Sequence, residues 1–273
     1  MMLAFIAAGI GNLIRTKLIK HHFTLFLNIA VSISASCFIY AALLKIAEMA
    51  FNVSTIHEAG YICSMLFIIP GFPFITSGID LAKLDLRSGL ERLAYAIIIV
   101  MVATMFAWIM ALLLQLKPMD FEDLDLTPVL HLILRLIMSF FGVFGFSIMF
   151  NSPASMAATA ALIGAIANSL RLELVDLTGM PAPAAAFAGA LTAGLLASFI
   201  KENNGYPRIS LTVPSIVIMV PGLYLYRAIY NFGIMALSDA VSWFASAIMI
   251  IIALPLGLIF ARILTDKTFR YCT

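Results

Sequence analysis

Asp80 stands nine residues beyond Pro70-Gly71, in the stretch PGFPFITSGIDLAKLDLRSGLERL. A carboxylate near the end of an apolar span has three uses: it carries a proton, binds an amino group, or pairs at the interface with a cation such as Lys83. A second Pro-Gly, Pro221-Gly222, closes VPSIVIMVPG as the first closes ICSMLFIIPG, 151 residues earlier. In the second copy the positions of Thr76 and Asp80 are held by Arg227 and Asn231. Arg227 is suited either to attracting a carboxylate or to snorkelling towards the interface. Asn231 is neutral, so a symmetric pair of carboxylates is excluded. Arg135, inside LHLILRLIMSFF, lies about two turns into a span and must face protein or water, or snorkel.

Proline removes a helical hydrogen bond and glycine loosens the backbone beside it. At mid-span the pair frees carbonyl and N–H groups, which a membrane tolerates only beside a cavity or buried in protein. Pro70, Gly71, Thr76, Asp80, Pro221, Gly222, Arg227 and Asn231 are therefore the candidate substrate-binding residues. Asp80 is the candidate proton-coupling residue, and Arg135 is a further intramembrane polar group.

Other chemistries find little footing. The chain has no P-loop, GxSxG or HExxH spacing, so an enzyme reading has little support, and no cofactor or metal is expected. His21 and His22 adjoin a lysine, while His57 and His131 are isolated. Cys37, Cys63 and Cys272 are scattered and odd in number, which points to small buried hydrophobes in place of a disulfide framework. The acidic run KPMDFEDLDLTP reads as a solvated loop, since nothing fixes its carboxylates in one geometry. A net charge of +2 indicates no nucleic-acid partner.

The elements that must position these residues are membrane helices. Of 273 residues 63% are hydrophobic and 11% charged, and the mean hydropathy is +1.08. A soluble domain would be about a quarter charged. In lipid every backbone polar group is paired internally, and apolar runs of about 20 residues without alternation select helices over a barrel. The fold class is all-α, a polytopic transmembrane helical bundle of about nine spans. They run over 1–14, 25–44, 61–79, 90–116, 128–150, 156–170, 184–200, 212–234 and 241–263. Small residues crowd the sixth and seventh spans and permit close helix packing. Asn151 and Ser152 are placed to cap the sixth. Residues 1–116 form a first membrane module, 117–127 an acidic linker and 128–273 a second module. The opening MMLAFIAAGIGNLIRTK is not a secretory signal, because its positive charges follow the apolar run.

Charge and repetition give direction. The loops after spans one, three and seven and the C-terminal tail hold Arg15, Lys17, Lys20, Lys83, Arg87, Arg92, Lys201, Arg208, Arg262, Lys267 and Arg270. The opposite side holds Lys45, Lys117, Arg171 and Arg227. The richer side is expected in the cytoplasm, with the C-terminus inside and the N-terminus outside. GIGNLIR, ending at Arg15, matches AIANSLR, ending at Arg171, at an offset close to that of the Pro-Gly pairs. Matching spans lie five apart, so the two copies should cross the membrane in opposite directions as an inverted repeat. Its unit should be five helices, with the first helix of the first copy missing. Duplicated spans broken at equivalent points imply a transporter.

The residues Pro70, Gly71, Asp80, Asp85, Ser88, Gly89 and Arg92 resemble the signature of the threonine/serine exporter family of bacterial efflux carriers. The second half is similar to that family's C-terminal module, with FGFSIMFNSP, a small-residue helix ending at Arg171, then Pro207, Pro214 and Val220 to Gly222. The resemblance covers nearly the whole chain. It implies two five-helix modules and proton-driven export of small hydroxylated amino acids across the bacterial cytoplasmic (inner) membrane. The partners expected are a small-molecule substrate, either amino acid or small carboxylate, and the lipid bilayer. A dicarboxylate exporter is the alternative cargo reading, favoured if Arg227 or Arg135 faces the cavity. The family's usual longer N-terminal region and extra helix are not found here. A third reading is therefore a non-transporting membrane subunit of a split exporter, completed by a partner membrane subunit or by a second copy.

Overall fold

A computed structural model describes residues 2–51, 60–118 and 126–270. The described residues are all-helical. In chain order they form α1 (Met2–Lys20), α2 (Leu25–Phe51), α3 (Gly60–Met65), α4 (Gly71–Ala82), α5 (Leu86–Leu114) and α6 (Pro128–Met149). Then follow α7 (Ala154–Thr178), α8 (Ala182–Asn204), α9 (Arg208–Val217), α10 (Gly222–Gly233), α11 (Leu237–Thr265) and α12 (Lys267–Arg270). Among the described residues seven helices are long and apolar enough to cross a membrane, or up to nine if each of two bent pairs is one span. The pairs are α3 with α4, bent by 55°, and α9 with α10, bent by 44°.

Most departures from the sequence expectation concern ends and orientations. The first span runs on to Lys20 through Arg15 and Lys17. Cations in a last helical turn meet the negative end of the dipole, so this basic run continues the helix instead of ending it. Asn151 does not cap α7. It takes a left-handed conformation with φ 60° just beyond α6, and Pro153 occupies the cap position without a side-chain hydrogen bond. Of the cysteines, Cys37 is buried but Cys63 is exposed, so only the first fits the buried-hydrophobe expectation. Cys272, His57 and most of the acidic linker lie outside the described residues.

Packing groups the chain into two interleaved units. The first comprises Met1–Pro70, Tyr95–Leu124 and Gly222–Ala245. Its core holds Ile33, Cys37, Tyr61, Ile62, Met65 and Tyr226. Gly11 lets α1 approach closely, because a Cβ there would lie 2.9 Å from Ser36 Cβ. Ser36 Oγ sits 3.1 Å from the Ala7 carbonyl and 2.7 Å from that of Ser64, so α1, α2 and α3 meet at one hydroxyl.

The second unit comprises Gly71–Ala94, Asp125–Pro221 and Ser246–Thr273. Alanines dominate its buried faces, Ala157, Ala160 and Ala161 on α7 and Ala186, Ala190 and Ala193 on α8. These small residues bring backbones together, as expected of membrane helices lacking a hydrophobic drive to associate. A Cβ on Gly164 would come 2.7 Å from the Ser215 carbonyl. Ser215 Oγ in turn donates to Ala160 O at 3.0 Å, tying α9 to α7.

Candidate functional site

The breaks have a common construction. After α3 a 3₁₀ turn covers Leu66–Ile68, and Ile69 is extended at φ −59°, ψ 123°. That is the conformation a following proline imposes on its predecessor. In the second copy, Met219 N–H bonds Ile216 O at 2.9 Å and Val220 N–H bonds Val217 O at 3.2 Å, again tightened turns before Pro-Gly. Pro70, Gly71, Pro221 and Gly222 are all buried. Arg15 Nη1 lies 3.4 Å from the Phe67 carbonyl, so the arginine that closes GIGNLIR serves the first break.

Each break glycine is a contact point for the other broken span. A Cβ on Gly71 would stand 2.5 Å from Val217 Cγ2 and 3.2 Å from Val220 Cγ2. A Cβ on Gly222 would stand 2.9 Å from Leu66 Cδ2 and 3.1 Å from Ile69 Cγ1. Val217 and Val220 follow Leu66 and Ile69 at the 151-residue offset that separates the glycines themselves. The contact therefore occurs twice in equivalent form, once within each packing unit.

The turns beyond α4 and α10 are also repeated. Leu84 and Met235 adopt φ 63° and 60°. Asp85 N–H bonds Asp80 O at 3.0 Å, and Ala236 N–H bonds Asn231 O at 2.9 Å. The side chains then diverge. Asp80 accepts from Arg92 at 2.7 Å, so its ionic partner is Arg92 and the expected pairing with Lys83 is not formed. The interhelical reach from α4 to α5 places Arg92 beside Asp80 across a turn that adjacency in sequence did not reveal. Asp85 caps α5 through Ser88 N–H at 3.4 Å. A Cβ on Gly89 would meet Leu81 Cγ at 2.7 Å. The signature residues from Asp80 to Arg92 thus build a helical hairpin and its clasp. In the second hairpin the residue equivalent to Arg92 is Trp243, and Arg227 lies over its ring at 4.7 Å. Arg227 is buried at 8% exposure, so it does not snorkel. Thr76 Oγ1 bonds Phe72 O at 3.0 Å, and Asn231 Nδ2 bonds Arg227 O at 2.9 Å, both within their own helices.

Arg135 is held by two carboxylates of α7. Nη1 lies 2.7 Å from Glu173 Oε1, and Nη2 bonds Asp176 Oδ2. Glu173 and Asp176 escaped the sequence reading although their three-residue spacing puts both on one helix face.

A cavity of about 830 Å³ opens within the second unit. Its lining includes Ile79 and Lys83 at the end of α4, Arg208 and Thr212 on α9, and Arg262, Thr265, Asp266 and Lys267 around the end of α11. The described lining residues do not include any of the eight proposed substrate-binding residues or Arg135. Arg208 bonds Thr265 Oγ1 at 2.9 Å and Gly194 O at 3.2 Å, whereas Arg262 pairs with Asp266 at 3.3 Å. In the sequence these cations carry only a topological meaning. Their convergence comes from packing α4 against α9, which no local spacing announces.

Seven long apolar helices and two helix pairs bent at equivalent Pro-Gly pairs define a multi-pass α-helical membrane protein. Residues 135–264 match the family described as Threonine/Serine exporter, ThrE, and residues 1–115 match a second threonine/serine exporter model. The two matches take in both copies of the break, and the chain belongs to the threonine/serine exporter family, a family of transporters. No curated protein and no solved structure matches it.

Proposed function

We propose that the protein is a secondary transporter of the bacterial cytoplasmic membrane that exports threonine, serine or a closely related small metabolite, driven by the proton-motive force. The observation that carries this reading is the repeated break, in which Gly71 and Gly222 each seat the other broken span by the same pair of contacts. Residues 1–116 and 128–273 act as two modules of opposite direction, with the C-terminus in the cytoplasm. The break residues Pro70, Gly71, Pro221 and Gly222 supply the moving joint. Thr76, Asp80, Arg227 and Asn231 lie on the half-helices that follow. Asp80 is the coupling acid. Its protonation would release Arg92, which it holds at 2.7 Å, and so loosen the hairpin of α4 and α5.

A dicarboxylate exporter is the alternative cargo, favoured if Arg227 or Arg135 faces the transport path; neither is among the described residues that line the cavity of the second unit. No observation favours a split exporter with a separate subunit over a homo-oligomer.

Proteoliposomes loaded with labelled threonine, serine or succinate test the proposal. Under an imposed proton gradient, threonine and serine should leave against their own gradients at rates well above succinate. Selective succinate export would replace the cargo. Loss of all three, with the protein folded, would favour the subunit reading.

A further inference from the structure

We propose that the cavity of the second unit is an anion site, and that it takes the carboxylate of a small solute with Arg208 as the anchoring residue. Four basic side chains, Lys83, Arg208, Arg262 and Lys267, line it against one acidic side chain, Asp266. Asp266 is already committed, to Arg262 at 3.3 Å and to the Phe269 N–H at 3.3 Å. Arg208 spends its hydrogen bonds on neutral oxygens, Thr265 Oγ1 and the Gly194 carbonyl. Those bonds fix the plane of the guanidinium without cancelling its charge. An arginine so oriented is suited to a planar, two-oxygen acceptor.

The backbone adds to this field. Arg208 and Ile209 both line the cavity, and they are the first two residues of the ten-residue helix α9. The positive end of that helix therefore borders the same space. A volume of about 830 Å³ falls in the usual range for small-molecule sites, about 300–1,000 Å³, and admits a small solute with its water. Ser198, Thr212 and Thr265 line the wall as well. The same chemistry would suit the phosphate of an anionic lipid, so the experiment must separate the two sources. This inference deepens the exporter reading and rests on it for the nature of the cargo, but binding is measured apart from export.

The full chain is reconstituted in nanodiscs of zwitterionic phosphatidylcholine, and binding of labelled L-threonine and succinate is measured with L-threonine methyl ester as competitor. At least one carboxylate should bind saturably, and the ester at least about tenfold more weakly. Arg208→Gln should weaken carboxylate binding at least about tenfold and remove the preference over the ester. Arg208 also tethers α9, so the double variant Lys83→Gln/Lys267→Gln, at two exposed positions, provides an independent loss of charge and should weaken binding in the same sense. Carboxylate binding unchanged in both variants overturns the proposal. So does the absence of carboxylate binding to the unaltered protein. Retention of phosphatidylglycerol by the unaltered protein in native mass spectrometry, lost in the variants and without carboxylate binding, likewise overturns it in favour of a lipid site. If carboxylate binding depends on Arg208 yet no solute is exported, the inference stands and the exporter reading falls. If export and binding both survive Arg208→Gln, the inference falls alone.

Discussion

At the scale of single residues, the repeat is informative where its copies differ. Asp80 and Arg92 in the first hairpin correspond to Asn231 and Trp243 in the second, so an ion pair in one copy is replaced by an arginine stacked on an indole in the other. An acid present in one copy of a duplicated scaffold is what the proposed single proton site would require. Asp80→Asn should abolish proton-driven accumulation while leaving energy-independent exchange of labelled threonine measurable. The reciprocal swap Asp80→Arg/Arg92→Asp separates the two roles. If the clasp alone matters, the swap restores driven export. If the carboxylate must sit on α4, the swap restores abundance but not coupling. The stability cost of breaking this partly exposed pair should be about 1 kcal/mol or less. Arg135 is a different case, because its removal leaves Glu173 and Asp176 facing one another. Arg135→Leu should lower the melting temperature in detergent, by about 1–3 kcal/mol of stability, with export per folded molecule retained. Loss of export at an unchanged melting temperature would give Arg135 a transport role.

Helix existence was legible at the scale of elements because lipid leaves the chain few options, and apolar runs such as Leu90–Leu116 declare themselves by length alone. The broken spans were legible too, since Pro-Gly inside an apolar run has a direct backbone consequence. What packs on each break was not legible, because Val217, Val220, Leu66 and Ile69 are apolar residues among many. The same holds for the clasp of Asp80 by Arg92 and for the cations gathered around the cavity, where contacts join residues distant in sequence. The close approach at the breaks makes a graded prediction. Gly71→Ala places a methyl 2.5 Å from Val217 Cγ2, an overpacking that should cost about 1–3 kcal/mol and slow export. Val217→Ala should relieve it, so the double variant should export faster than Gly71→Ala alone. The equivalent pair, Gly222→Ala with Leu66→Ala, should behave alike but more mildly, because the contact there is 2.9 Å with the end of a longer side chain. Additive effects of the paired changes, measured as melting temperature and initial efflux rate, would mean the breaks do not bear on those residues.

At the scale of the whole molecule the remaining question is direction, and the repeat supplies its own probe. Leu84 and Met235 occupy the same left-handed position of equivalent turns, 151 residues apart, with φ 63° and 60°. Their exposures are 81% and 79%, and the helices flanking them match in length, 12 residues before and 29 after in both copies. Local environment therefore cannot make one more reactive than the other, and any difference in labelling reports the side of the membrane. Five spans separate the two turns in the nine-span reading, and an odd number of crossings changes sides. In a cysteine-free background, Leu84→Cys should resist a membrane-impermeant maleimide in intact cells and react in inverted vesicles if, as the positive-inside rule predicts from Lys83, Arg87 and Arg92, that turn is cytoplasmic. Met235→Cys should show the reverse pattern. Neither substitution alters the backbone demand much, since each position already holds a side chain at positive φ. Labelling of both cysteines from the same side would sink the inverted repeat, and reversal of both would keep the repeat but turn the protein over. Were the turns found on opposite faces, the joint proposed at Gly71 and Gly222 would be one able to expose one hairpin while covering the other, which is what alternating access requires of two broken spans.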